Sequence, residues 1–159
     1  MESDDNAALN DGDVEAVQRA QAWAKDFVAP RAETWETERR FAREALDSAG
    51  QNRLTGLLVP SDDGGEDISV LGLARVLEEI AAVDFSIAFS LVCHNNLAGA
   101  VGRQPKGALR ERFLPGLVDG SLVGAFLLTE PDVGSDAAAI AVAATNDGDE
   151  WLLNGEKAW

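Results

Sequence analysis

Gly124-Ala125-Phe126-Leu127-Leu128-Thr129-Glu130-Pro131-Asp132-Val133-Gly134-Ser135-Asp136 is the stretch on which the architecture of this 159-residue chain turns. The uncharged run Leu122 to Leu128, bounded by Gly120 and Pro131, predicts a buried strand. It breaks into Glu-Pro-Asp-Val-Gly-Ser-Asp, a loop of backbone donors and short hydroxyl side chains. Gly134 has no side chain to keep a ligand away from the backbone. Thr129, Ser135 and the neighbouring N–H groups can bind phosphate or a polar ring edge. A solvated turn after a strand remains the plainer alternative.

Upstream of that stretch the pattern is helical. Residues 1–12 are polar and predict a disordered tail. Asp13 is a candidate N-cap for a helix carrying Val14, Val17, Ala20, Ala24, Phe27 and Val28 at helical spacing, which Pro30 should end or kink. A second helix runs from Phe41 to Ala49 and is closed by Gly50; Leu54 to Pro60 looks extended, and residues 61–67 form a loop. Ser69 caps a third helix, on which Glu78 and Glu79 are read as solvated. Asp84 caps an almost wholly apolar helix from Phe85 to Ala100, and Ala108 to Leu114 is short and amphipathic before a turn at Pro115-Gly116. Cys93 and His94 are sequence neighbours pointing about 100° apart on a helix, so they form no nucleophile–base pair and read as buried structural residues.

Downstream the period changes. Ala137 to Ala144 predicts a strand, Asn146-Asp147-Gly148-Asp149 a hairpin turn and Glu150 to Leu153 its partner, with Trp151 in the sheet core. Asp132 and Asp136, beside Pro and Gly, read as turn formers. The fold class is therefore α+β: an N-terminal all-α bundle over residues 13–121, then the start of a truncated β domain over residues 122–159.

Composition narrows the partners. With 46% hydrophobic residues the chain can bury a core, and no apolar run reaches transmembrane length. A cytoplasmic protein without membrane contact is expected. One cysteine, Cys93, excludes an internal disulfide and a multi-cysteine metal site. The 28 acidic residues against 13 Lys and Arg give a net charge of −15, and only Lys25, Lys106 and Lys157 are lysine. Nucleic-acid binding, which needs clustered cations, is disfavoured. Acidity spread along the chain with so little lysine is similar to that of proteins from salt-loving organisms, and screening at high ionic strength would relieve the self-repulsion. The melting temperature is expected to rise in molar salt; equal melts with and without salt would remove this halophilic reading.

Leu128-Thr129-Glu130-Pro131 followed by Gly134-Ser135-Asp136 resembles the signature of the acyl-CoA dehydrogenase family. Asn146 through Trp159, in particular Asn154-Gly155-Glu156-Lys157-Ala158-Trp159, resembles that family's next element at the expected distance. The paired glycines Gly64-Gly65 also sit where the family carries a pair, whereas Leu127 and Val133 are bulkier than the family usually has.

The resemblance implies an FAD-dependent α,β-desaturation of acyl-CoA thioesters, with electrons passed on to an electron-transfer flavoprotein. Carried over residue by residue, Phe126, Leu128 and Thr129 line the isoalloxazine, Gly134 and Ser135 meet the FAD pyrophosphate and the CoA side, and Trp159 covers the ring. His94, with Asn95 and Asn96, would border the acyl cavity, so Ser135 and His94 are the substrate-side candidates. Glu130 belongs to the flavin loop and is not the base. Family members have a third, C-terminal helical bundle that carries the catalytic carboxylate and most of a homotetramer interface. These 159 residues are accordingly expected to be a fragment, inactive and poorly folded alone. An acyl-CoA oxidase of the same fold, or a non-catalytic helical interaction module, are the alternatives.

Overall fold

The computed structural model describes residues 8–158, so the expected tail over residues 1–7 and the flavin-covering role of Trp159 lie outside the described residues. The chain divides into two compact units, Met1–Ala125 and Phe126–Trp159. The architecture is α+β, helical first and then a small antiparallel hairpin.

In the helical unit, α1 spans Asp11–Trp23 and starts earlier than the sequence suggested. Asn10 is the N-cap, and Asp13 completes a capping box, its carboxylate accepting the Asn10 N–H at 3.1 Å. Asp13 also accepts the N–H and the hydroxyl of Ser69, both at 2.8 Å, while the Ser69 hydroxyl caps α4 (Val70–Ala81) through the Gly72 N–H. One buried carboxylate therefore ties together the first turns of two helices.

Pro30 does not end the first helical segment. A π turn over Ala24–Val28 precedes α2 (Ala29–Glu38), and the Ala29 N–H reaches back to the Ala24 carbonyl. Widening the turn just ahead of Pro30 accommodates its ring and its missing donor, so the segment continues with a changed register. Two indoles then fasten these helices to α3 (Arg43–Gln51): Trp23 Nε1 donates to Ser48 Oγ at 3.0 Å, and Trp35 Nε1 to Glu44 Oε1 at 2.8 Å. Phe27 lies between the two indoles, stacked on Trp23 at 6.0 Å. Gly50 is inside α3 rather than closing it, because a side chain there would run into the backbone of Asp119, 2.2 Å from a Cβ.

Residues 54–60 are irregular, with Leu54, Leu57 and Val59 buried, and not extended as expected; a short 3₁₀ turn, Ser61–Asp63, lies in the loop that follows. Asn95 of α5 (Phe85–Gly102) replaces a sheet partner for this segment: its amide accepts from the Leu57 N–H and donates to the Leu54 carbonyl. Asp84 caps α5 through the Ile87 N–H at 3.0 Å, as its position predicted. Helix α6 (Ala108–Val118) continues past the turn expected at Pro115-Gly116: the proline removes one donor, and the Asp119 N–H still reaches the Pro115 carbonyl at 3.0 Å. Exposed Glu78 pairs with Arg75 on the surface of α4.

The second unit holds β1 (Ala143–Asp147) and β2 (Glu150–Asn154), antiparallel with Asp147 opposite Glu150. The two-residue turn has Gly148 at φ +70°, a conformation that suits glycine at the first central position. Two expectations fail. Residues 137–142 are a short 3₁₀ turn, Ala137–Ala139, and irregular chain instead of the first half of a strand. Trp151 is 66% exposed rather than in a sheet core, since two strands alone cannot bury a face. The predicted strand Leu122 to Leu128 likewise has no ladder among the described residues, and Phe126, Leu127 and Leu128 are exposed. An apolar run predicts burial only if a partner layer covers it.

Candidate functional site

In the second unit, Glu130 and Val133 close a tight turn with reciprocal backbone bonds, 2.9 Å from the Glu130 N–H and 3.1 Å from the Val133 N–H. Pro131, with φ preset by its ring, lies between them. The Glu130 side chain turns inward and becomes the centre of the unit. It accepts the Ala141 N–H at 2.8 Å, the Val142 N–H at 3.0 Å and the Lys157 ammonium at 2.9 Å. The hydrogen bond from Lys157, followed by those from Ala141 and Val142, lowers its pKa from 4.5 to about 2. Glu130 is thus an anion at neutral pH with its oxygens already engaged. It cannot collect a proton from a substrate there, in agreement with its reading as part of the loop.

Lys157 also donates to the Leu128 carbonyl at 2.9 Å, and the Ala158 N–H donates to the Thr129 carbonyl at 2.9 Å. The two separated sequence motifs therefore meet: the Asn-Gly-Glu-Lys-Ala element lies along residues 128–130. Lys157 is the residue that the sequence reading missed. Its signal was present, since it is one of three lysines in a chain of net charge −15 and sits inside the second motif.

The outward side of this segment is unspent. Phe126 is 51% and Leu128 49% exposed, and Thr129 is half-buried beside them. Among the described residues, the N–H groups of residues 126–129 and the hydroxyls of Thr129 and Ser135 have no hydrogen-bond partner. Gly134 is exposed, and a Cβ added there would meet no atom within 4 Å. Nothing in the chain itself demands a glycine at that position, whereas a closely approaching ligand would. Apolar surface for a flat ring, free donors at its edge and an open glycine beyond it are what a flavin with a pyrophosphate tail needs, so the residues present fit FAD.

His94 belongs to the helical unit and has other partners. Its ring is 1% exposed. Nε2 donates to the Leu117 carbonyl at 2.8 Å and Nδ1 accepts the Gly124 N–H at 3.1 Å. Burial lowers its pKa and favours the neutral ring, and the Gly124 N–H at Nδ1 then leaves the proton on Nε2. With both nitrogens on backbone groups, His94 has none left to hydrogen-bond a substrate. Asn95, also buried, is likewise saturated, by Leu57, Leu54 and Leu91. Among the described residues, no helix is long and apolar enough to cross a membrane.

Comparison with known proteins accords with this geometry. The model of the acyl-CoA dehydrogenase N-terminal domain matches residues 11–121, and that of the acyl-CoA dehydrogenase middle domain matches residues 125–159. The chain belongs to the acyl-CoA dehydrogenase family. The mitochondrial isobutyryl-CoA dehydrogenase of Dictyostelium discoideum is 35% identical over 152 residues, covering 93% of this chain and 36% of that protein. A structure described as the electron transferring flavoprotein of Acidaminococcus fermentans superposes with a TM-score of 0.85 at 29% identity, over 96% of this chain and 40% of its own. The FAD complex of PigA does so with a TM-score of 0.83 at 25% identity, over 94% and 40%. The chain thus spans well under half the length of the proteins it matches.

Proposed function

We propose that this chain is the flavin-side part of an FAD-dependent acyl-CoA dehydrogenase that desaturates acyl-CoA thioesters between the α and β carbons. In this reading residues 13–121 form the helical domain and residues 122–159 open the β domain. The observation that carries the proposal is the set of N–H groups at residues 126–129 that have no partner among the described residues, beside exposed Phe126 and Leu128, within the loop that Glu130 and Lys157 hold in place. The isobutyryl-CoA dehydrogenase relative supports a CoA thioester as substrate, and an electron-transfer flavoprotein is the redox partner that membership of this family implies. A homotetramer is the expected assembly of the whole enzyme.

Bound FAD supplies the acceptor for the hydride leaving the β carbon. This chain's contribution is to bind and orient. Phe126 and Leu128 present an apolar face that excludes water from one side of the ring. The Thr129 hydroxyl would hold the flavin by donating a hydrogen bond to its pyrimidine edge. The Gly134 and Ser135 backbone, with the Ser135 hydroxyl, would hold the pyrophosphate and the CoA side. The carboxylate that takes the α-proton is assigned to none of these 159 residues, since Glu130 is held ionised and engaged.

Flavin uptake tests the reading directly. The purified full-length protein should be yellow and show flavin absorbance. Thr129→Val keeps the shape but removes the donor, and FAD affinity is expected to fall about tenfold, the worth of one well-placed hydrogen bond. A colourless protein that takes up no added FAD would exclude the proposal and favour the interaction module.

A further inference from the structure

His94 is a fully desolvated imidazole near the middle of α5, a helix whose other buried positions are mostly small or aliphatic. A polar ring in such a place is costly unless both nitrogens find partners. The partners it takes are two backbone groups at either end of one connection: the Leu117 carbonyl in the last turn of α6, and the Gly124 N–H. Between them Gly120 turns the chain at φ +79°, and Arg43 reaches over to donate to the Gly120 and Ser121 carbonyls at 3.3 and 2.9 Å. Gly124 itself is pressed against Leu97 of the same helix, whose Cδ2 would lie 2.7 Å from a Cβ. Two residues later the chain enters Phe126–Thr129.

From this geometry we infer that His94 is a positioning residue. It pins the 117–124 connection at both ends and so orders the backbone that delivers the Phe126–Thr129 segment. The role rests on the flavin reading of that segment given above. It acts through Gly124, not by touching the cofactor: an imidazole can accept at one nitrogen and donate at the other, which no aliphatic residue of similar size can do. Losing the bond to Gly124 frees the end of the connection nearest the flavin segment, whereas losing the bond to Leu117 frees only the far end.

Two conservative variants separate the two bonds in the full-length protein. His94→Asn places an amide oxygen near the position of Nδ1 and retains the Gly124 bond. His94→Gln reaches the position of Nε2 and retains the Leu117 bond. Each keeps one of the two contacts, so their melting temperatures should be similar. In ¹⁵N relaxation, the amides of residues 125–128 are expected to keep wild-type order in the Asn variant and to lose it in the Gln variant. FAD affinity should stay within about twofold of wild type for Asn and weaken about tenfold for Gln. Equal relaxation at residues 125–128 in both variants, or wild-type behaviour of the Gln variant, would overturn the inference. If the wild-type protein itself takes up no FAD, the flavin reading falls, while the relaxation comparison still decides what His94 does.

Discussion

Gly65→Ala is expected to cost the helical unit at least about 3 kcal/mol, the upper range for forcing atoms into a packed interior. A Cβ at Gly65 would lie 2.0 Å from the Val59 carbonyl oxygen and 2.5 Å from both the Val59 carbonyl carbon and Cβ. The oxygen cannot simply move aside, because it accepts the Asp67 N–H at 3.0 Å, and the Gly65 N–H is itself bound to the Pro60 carbonyl at 3.1 Å. The same crossing is fixed from outside by Glu66, which pairs with Arg19 and, at 2.6 Å, with Arg53. Adjacent Gly64 provides the control. It has φ +84° but no atom nearer than 4.0 Å to its Cβ, so Gly64→Ala should cost only the left-handed backbone penalty, about 1–2 kcal/mol. Chemical denaturation of the two variants orders them. If Gly65→Ala were the milder of the two, close backbone approach would not be the reason for the glycine.

That pair shows what a sequence can and cannot disclose. Two adjacent glycines were visible as a loop signal, but one is required for its dihedral angle and the other for space, and only the crossing chain reveals the second. The helices were legible because their signals are local: Ser69 and Asp84 cap α4 and α5 as their spacing predicted. Asp13 was expected as the N-cap of α1, but Asn10 holds that position and Asp13 is the third residue of the helix; its bond to Ser69 spans the helical unit and leaves no local trace. Pro30 allowed either an end or a kink, and the π turn ahead of it decides for a continued helix. The strand predicted over 122–128 failed for a non-local reason. Hydrophobicity records what a segment needs to have covered, and the ladder that would cover it depends on residues far away in sequence. At the candidate site the motif residues Phe126, Leu128, Thr129, Gly134 and Ser135 were legible as types. The clamp that holds them, Glu130 with Lys157, was not, since a carboxylate and an ammonium 27 residues apart declare no pairing.

Removing the charge of Glu130 should abolish the ordered form of the second unit's loop at neutral pH. Glu130→Gln offers one amide oxygen where two backbone N–H groups and an ammonium now converge, and it turns an NH₂ toward those donors. At least one of the Ala141 and Val142 amides and the Lys157 charge would be left unsatisfied, which costs more than the missing bond alone. The wild-type protein has a built-in comparison in its pH dependence. The carboxyl's pKa falls from 4.5 to about 2 on folding, so its contribution is fully present above pH 4.5 and is lost as the pH drops toward 2. Protonation of Glu130 removes the negative charge on which Lys157 and the two backbone N–H groups converge, and this breaks the clamp. Acid titration followed by the amide resonances of Ala141 and Val142 should therefore show them collapsing between pH 4.5 and 2 in the wild type. In Glu130→Gln they should be lost or shifted already at pH 7, with no further change over the same interval. Lys157→Met should move the wild-type transition to higher pH, because the largest cause of the lowered pKa is gone while the two backbone bonds remain. If Glu130→Gln and wild type titrated alike between pH 4.5 and 2, the loop would be held by something other than this carboxylate.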